Sequence, residues 1–227
     1  MSKYAIIAEG PTDQIVLENI LLGYFQNDEE EPTVNFVQPP PPTAVCPAPP
    51  AGWSLVFASL RRGDPQKALQ FNDYLVIHID ADVQEEPGFD VSRRENNKEL
   101  SVPDRIDRII DKLKVQMDSA FYDSNAHRIL FAIAVDTIEC WLLPLLHEDK
   151  KAKKISGCLG AANAALRKAN RKGLASGDTK FPHAYEEASR EYTKHKTLRK
   201  HADRNPSLQV FIKWLDKLFR NATETEP

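Results

Sequence analysis

Three short, uninterrupted apolar runs punctuate this chain, and each ends in acid. Tyr4-Ala5-Ile6-Ile7 leads into Glu9-Gly10-Pro11-Thr12-Asp13, Tyr74-Leu75-Val76-Ile77-His78-Ile79 into Asp80-Ala81-Asp82, and Ile129-Leu130-Phe131-Ala132-Ile133-Ala134-Val135 into Asp136-Thr137-Ile138-Glu139. Apolar runs that do not alternate with polar residues belong to strands covered on both faces, which is the usual situation in a parallel sheet. Between the runs the apolar period lengthens to that of a helix. Ile15, Val16, Ile20, Leu21, Leu22 and Phe25 form one such stripe, with Thr12 or Asp13 as N-cap, and Ile106, Ile109, Ile110, Leu113 and Met117 form another. Val34–Val37 and Trp53–Phe57 read as further short strands, and Asp64–Phe71 as a short helix. The alternation predicts an α/β fold: a mostly parallel sheet of about four to five strands flanked by helices.

Beyond the third acidic run the pattern becomes helical. Glu139–Leu146 is an apolar helix carrying Pro144, and residues 150–204 read as helices broken at Gly157, Gly173, Gly177 and Pro182. Asn205-Pro206-Ser207 starts a last helix whose Leu208, Phe211, Trp214, Leu215 and Leu218 face inward. Asn27–Pro32 reads as an acidic loop and residues 82–103 as a long polar one. Residues 38–52 hold Pro39-Pro40-Pro41-Pro42 and Pro47-Ala48-Pro49-Pro50, an extended proline-rich insertion able to serve as a stiff loop or as a ligand for an SH3-like partner. The expected division is an α/β domain over 1–148 and a helical extension over 149–227 that packs on it.

Charge sharpens that division. Residues 1–149 hold 12 Lys and Arg against 25 Asp and Glu, whereas residues 150–204 hold 15 against 5, a contrast hidden in the net charge of −3. An acidic body beside a basic segment suits a cation-binding rim next to a phosphate-attracting surface. No apolar stretch approaches the roughly 20 residues that a membrane helix requires. The opening residues run straight into a strand without a signal-peptide pattern, so a cytoplasmic location is expected. Cys46, Cys140 and Cys158 are scattered and odd in number, and are read as reduced thiols rather than as a disulfide framework or zinc site.

The chemistry concentrates at the three acidic ends. In parallel sheets the residues just past the strand carboxyl ends share one rim, and carboxylates gathered there call for a cation; a hard divalent ion such as Mg²⁺ fits them. Asp80 and Asp82, two residues apart at a strand end, form the clearest clamp, with no Lys or Arg adjacent in sequence. Glu139 has a competing structural reading, in which Asp136 or Thr137 caps the helix and Glu139 completes a capping box. His78, flanked by apolar strand residues, is expected to pack in the sheet rather than to act as a ligand. No Gly-rich phosphate loop, Gly-x-Ser-x-Gly elbow or zinc spacing is present, which argues against a P-loop ATPase, a serine hydrolase and a zinc enzyme.

Glu9-Gly10-Pro11-Thr12-Asp13, Asp80-Ala81-Asp82 and the stretch Val135–Leu143 together resemble a TOPRIM domain, a Rossmann-like sheet shared by topoisomerases, primases and OLD-family nucleases. With Asn205-Pro206-Ser207, the pattern is similar to the small stand-alone TOPRIM proteins of bacterial defence loci, the RloB-like group among them. The motifs cover residues 1–145, and the remainder only through the last helix. The resemblance implies a nuclease dependent on Mg²⁺ or Mn²⁺, with Glu9, Asp80, Asp82 and Glu139 as catalytic groups and Glu9, Asp80, Asp82 and Asp136 as metal ligands. It implies a nucleic acid substrate, DNA or tRNA, gripped by Lys150, Lys151, Lys153, Lys154, Arg167, Lys168, Arg171 and Lys172. A role in anti-phage defence with a separately encoded ATPase follows from the resemblance alone, since no ATPase is fused within these 227 residues. The sequence leaves the oligomeric state open, a homo-oligomer included.

Two other readings stand beside it. A receiver-like module also gathers acids at strand ends, but it carries an acidic pair on its first strand, where this chain has Glu9. An inert TOPRIM-like subunit that binds or regulates a partner protein would keep the fold without the activity. A haloacid-dehalogenase-like phosphatase would need its Asp-x-Asp on the opening strand.

Overall fold

The computed structural model describes residues 2–26 and 31–219, so residues 27–30 of the expected acidic loop lie outside the described residues. The chain opens with β1 (Lys3–Ile7), α1 (Pro11–Tyr24) and β2 (Thr33–Gln38), whose two strands run parallel. Next, α2 (Trp53–Arg61) and α3 (Asp64–Ala68) cross to β3 (Tyr74–Asp80), which pairs with β1 on its other side. A hairpin of β4 (Arg94–Glu95) and β5 (Lys98–Glu99) precedes α4 (Val102–Lys114), α5 (Ser119–Asn125) and β6 (Ile129–Ala134), the latter parallel to β3. The rest comprises α6 (Glu139–Leu146), α7 (Cys158–Lys168), a hairpin of β7 (Ala175–Ser176) and β8 (Thr179–Lys180), α8 (Pro182–Ser189), α9 (His195–Ala202) and α10 (Pro206–Phe219). The central sheet has four strands in the order β2-β1-β3-β6, all parallel, as the apolar runs require.

Strand alternation divides the core in two. Tyr4, Ile6, Val76, Leu130 and Ala132 face α1 together with the helices from α6 onward, while Ala5, Ile7, Leu75, Ile77, Phe131 and Ile133 face α2 to α4. The C-terminal segment therefore shares its core with α1, through Tyr185, Tyr192, Leu198 and Phe211. Asn205 secures the junction. Its Oδ1 accepts the N–H groups of Ser207 and Leu208, each at 3.1 Å, and its Nδ2 donates to the Cys140 carbonyl at 3.1 Å. Ser207 Oγ in turn accepts from Trp141 Nε1 at 2.8 Å, so the expected cap also binds α6.

Close approach of two backbones fixes one glycine. A Cβ on Gly23 would lie 1.7 Å from the carbonyl oxygen of Tyr192, so α1 can meet the turn before α9 only with hydrogen there.

Four expectations are corrected. Trp53–Phe57 is helical, because Trp53, Val56, Phe57 and Leu60 repeat at helical spacing and the β2-to-β3 parallel crossover requires a helix. The 82–103 stretch contains the β4–β5 hairpin, turned by Asn96 and Asn97, both at positive φ. The break at Gly177 is likewise the turn of a hairpin, β7–β8. Cys140 and Cys158 form a disulfide bond, joining α6 to the start of α7 with a Cα separation of 4.9 Å. Their spacing of 18 residues gives no hint that the two helices abut. Among the described residues, no helix is long and apolar enough to cross a membrane.

Candidate functional site

The sheet order places β2 on one side of β1 and β3 on the other, so the crossover direction reverses between β1 and β3. In open parallel sheets this reversal opens a crevice beyond the strand carboxyl ends. Glu9 follows β1 and Asp80 ends β3, which puts both carboxylates in that crevice. Glu9 Oε1 accepts the Asp80 N–H at 2.7 Å, and Asp80 Oδ1 accepts the Ile138 N–H at 2.8 Å. The start of α6 is thus capped by a carboxylate from β3, in place of the local capping box that is the alternative reading of Glu139; no side chain of its own residues caps it.

A cavity of about 440 Å³ opens here, lined by Glu9, Thr12, Asp13, Asp80, Gly52 and Lys180 among others. Its sides belong to the β1–α1 turn, the end of the proline-rich insertion and the β7–β8 hairpin. The insertion is fastened at both ends beside Glu9. The Ala8 N–H donates to the Gln38 carbonyl at 2.7 Å, Gln14 Nε2 to the Pro39 carbonyl at 2.8 Å, and the Gly52 N–H to the Glu9 carbonyl at 2.8 Å. Gly52 adopts φ +121°, a conformation that favours glycine.

The acids perturb one another strongly. Burial, then the nearby Asp13 carboxylate, pushes Glu9 from its ordinary 4.5 to about 8. Burial raises Asp13 to about 6 against the pull of Lys180, and burial with Asp13, Glu9 and Glu139 raises Asp80 well above the usual range. Burial also lifts the Glu139 carboxyl, but Lys180, Thr137 and Tyr185 outweigh it and hold the group below its ordinary value. Lys180 Nζ stands 3.0 Å from Glu139 Oε1, which also accepts the Tyr185 hydroxyl proton. Burial lowers the Lys180 ammonium, yet Asp13, Glu139 and Asp80 overcome it and keep it protonated well past its ordinary range. The cation that the acidic ends call for is supplied in part by the chain itself.

Not every expected residue joins this group. Asp82 is exposed, and its carboxyl is raised by burial of its inner part and then by Asp136. Asp136, expected as a metal ligand, faces two guanidinium groups instead, Arg105 at 3.5 Å and Arg93 at 3.7 Å. The arginines come from α4 and from the loop before β4, so sequence spacing could not pair them with it. Lys150, Lys151, Lys153 and Lys154 are exposed on and after a 3₁₀ turn, and Arg167 and Lys168 end α7. Lys151 and Lys168 line one cleft of about 460 Å³, together with Glu148 and Asp149. Arg171 pairs with Glu187 at 3.1 Å, and Lys172 lies 3.9 Å above the Phe181 ring.

The sequence reading missed Lys180 and Tyr185 as site residues, for which no local signal exists. The expected N-cap, Thr12 or Asp13, is Gly10 instead: Asp13 stands at the third position of α1, where one of its oxygens accepts the Gly10 N–H at 2.8 Å while the residue also lines the cavity. His78 packs in the sheet as expected, fully buried, and burial followed by the charge of Lys180 pushes its imidazole down to about 3.

The donor chemistry fits a divalent cation of modest protein coordination. Among the described residues, no group of three or more His, Cys, Asp or Glu is placed to hold a metal ion unaided. Ions at phosphoryl-transfer sites commonly use one or two carboxylates plus water and substrate oxygens, and Glu9 with Asp80 supplies two. Glu9 also sets a pH dependence. It binds its proton more tightly in the folded state than in the unfolded one, so folded stability falls as pH climbs from about 4.5 to about 8. In the presence of chelator, Glu9→Gln is expected to flatten this slope and to raise the melting temperature at pH 8.5 by roughly 5 °C relative to wild type. Parallel slopes for the two proteins in pH-resolved melts would contradict the burial of Glu9 described above. Set against family models, curated proteins and solved structures, the chain matches none.

Proposed function

We propose that this chain is a divalent-metal-dependent nuclease that hydrolyses phosphodiesters at the Glu9–Asp80 crevice. The observation that carries this reading is the meeting of Glu9, Asp13, Asp80 and Lys180 around one cavity at the sheet reversal, with Glu139 buried behind it against Lys180. Glu9 and Asp80 would hold the ion. When bound, that ion supplies positive charge to the phosphoryl oxygens. Before an ion binds, Glu9 has a raised affinity for protons, so that loading the site would release one. Lys180 brings an ammonium to the cavity wall, where a phosphate would enter, and Glu139, held by the Tyr185 hydroxyl, anchors Lys180 from behind. The exposed Lys150–Lys154 cluster, with Arg167 and Lys168, would hold nucleic acid backbone without reading bases. Anti-phage defence and a separate ATPase partner belong to this proposal through the TOPRIM resemblance.

A second reading has one observation in its favour. Lys180 already neutralises part of the acidic cluster, as it would in an inert module that binds or regulates a partner protein. The two readings separate when purified protein is incubated with labelled plasmid, single-stranded DNA and total tRNA under Mg²⁺, Mn²⁺ or chelator. Cleavage of at least one substrate is expected with Mn²⁺, and it should disappear with chelator and in Glu9→Gln. If every substrate stays intact under both ions, the inert module is the better account.

A further inference from the structure

His78 is a buried group with nothing to do in the arrangement described so far. Its imidazole is fully buried, and neither Nδ1 nor Nε2 has a hydrogen-bond partner among the described residues. An orphaned buried polar atom is destabilising, a cost that a leucine or phenylalanine at the same position would avoid. On β3, Ile77 and Ile79 point to the opposite core, so His78 shares its face with Val76 and Asp80. Trp141 meets the ring edge-to-face at a centroid distance of 6.1 Å. Nε2 lies 3.6 Å from Asp80 Oδ1, too far for a hydrogen bond.

That separation suits another use. Donors 3.6 Å apart can be bridged by a single ion with bonds of about 2.1 Å, the usual length for imidazole and carboxylate on a small divalent cation. We propose that His78 is a ligand of the cation held at this site, so that the site takes a first-row transition ion in preference to Mg²⁺. The inference rests on the cation-binding reading given above and narrows it. Mg²⁺ prefers oxygen donors, whereas a mixed imidazole and carboxylate pair favours the nitrogen-accepting ions from Mn²⁺ through Zn²⁺. His78 takes the place given above to Glu9 as the second protein donor, Glu9 remaining hydrogen-bonded to the Asp80 N–H, and water and substrate oxygens complete the coordination, in keeping with the absence of a three-residue His, Cys, Asp or Glu group among the described residues.

The test uses Mn²⁺ alone, bound to the full-length protein, and reads the metal directly by pulsed electron paramagnetic resonance. Wild type is expected to show modulation from a directly bound ¹⁴N nucleus, which His78→Gln should abolish. The same variant should weaken Mn²⁺ binding at least tenfold in titration and leave Mg²⁺ binding within twofold. Should His78→Gln fail to fold, Asp80→Asn serves as the control, because a nitrogen signal from another histidine would survive it. Tight Mn²⁺ binding without nitrogen modulation in wild type overturns the His78 assignment and leaves the nuclease reading intact. Persistence of the modulation in His78→Gln overturns it equally. Absence of Mn²⁺ binding at millimolar concentration removes both the assignment and the metal-dependent reading on which it rests.

Discussion

Asp80→Asn is expected to lower Mn²⁺-dependent nucleic acid cleavage by about a thousandfold, equivalent to about 4 kcal/mol of barrier, while the protein stays folded. The substitution keeps the shape of the side chain and an oxygen that can still accept the Ile138 N–H. What it removes is the negative charge that faces Glu9, Asp13 and Glu139. In metal-free protein that charge is a liability, because a buried carboxylate surrounded by like charges resists ionisation. Asp80→Asn should therefore melt at or above the wild-type temperature at pH 8, pairing lost activity with retained or increased stability. Cleavage rates and melting curves on the same preparation check both halves. Activity within tenfold of wild type would remove Asp80 from the ion-holding pair.

Gly23→Ala is expected to be among the most destabilising single changes in the chain, costing more than about 4 kcal/mol and lowering the melting temperature by more than roughly 10 °C. Helix propensity alone gives the opposite sign, since alanine is favoured over glycine by about 1 kcal/mol in a helix interior. Here the added methyl would sit 1.7 Å from the Tyr192 carbonyl oxygen and 2.8 Å from its carbon. These are backbone atoms, unable to swing aside as a side chain would. Relief requires α1 to lift away from the Tyr192 turn, which disturbs the Asn19–Ser189 hydrogen bond of 2.7 Å and shifts the helix whose first turn carries Asp13. A thermal melt decides the matter. A variant as stable as wild type would show that the two backbones do not touch.

The sheet was legible because β1, β3 and β6 are apolar on both faces, a pattern that few other elements share. The helical period of α4 and the Asn-Pro-Ser start of α10 were equally plain, since capping and amphipathicity are local properties. Trp53–Phe57 misled because a five-residue apolar window suits either element, and only Leu60, one turn further on, reveals the helix. Glu9 and Asp80 could be placed on one rim from sequence because strand ends in a parallel sheet converge. The surroundings of Asp136 could not be foreseen, because they are set by Arg93 and Arg105 from distant turns. Lys180 illustrates the same limit: the residue sits on a two-residue strand of a small hairpin, and nothing near it in sequence announces Asp13, Asp80 and Glu139 waiting in space. The Cys140–Cys158 bond depends on how α6 and α7 pack, which spacing alone does not encode.

The carboxylates come from the first two thirds of the polypeptide, whereas Lys180 and Tyr185, which balance and orient them, come from the last third. Recombination between these portions would part the anions from their counter-charge, leaving one fragment with an electrostatic debt and the other with an ammonium that has lost its purpose. The chain is thus indivisible at its chemical centre, and a graft onto another scaffold would have to carry both portions together.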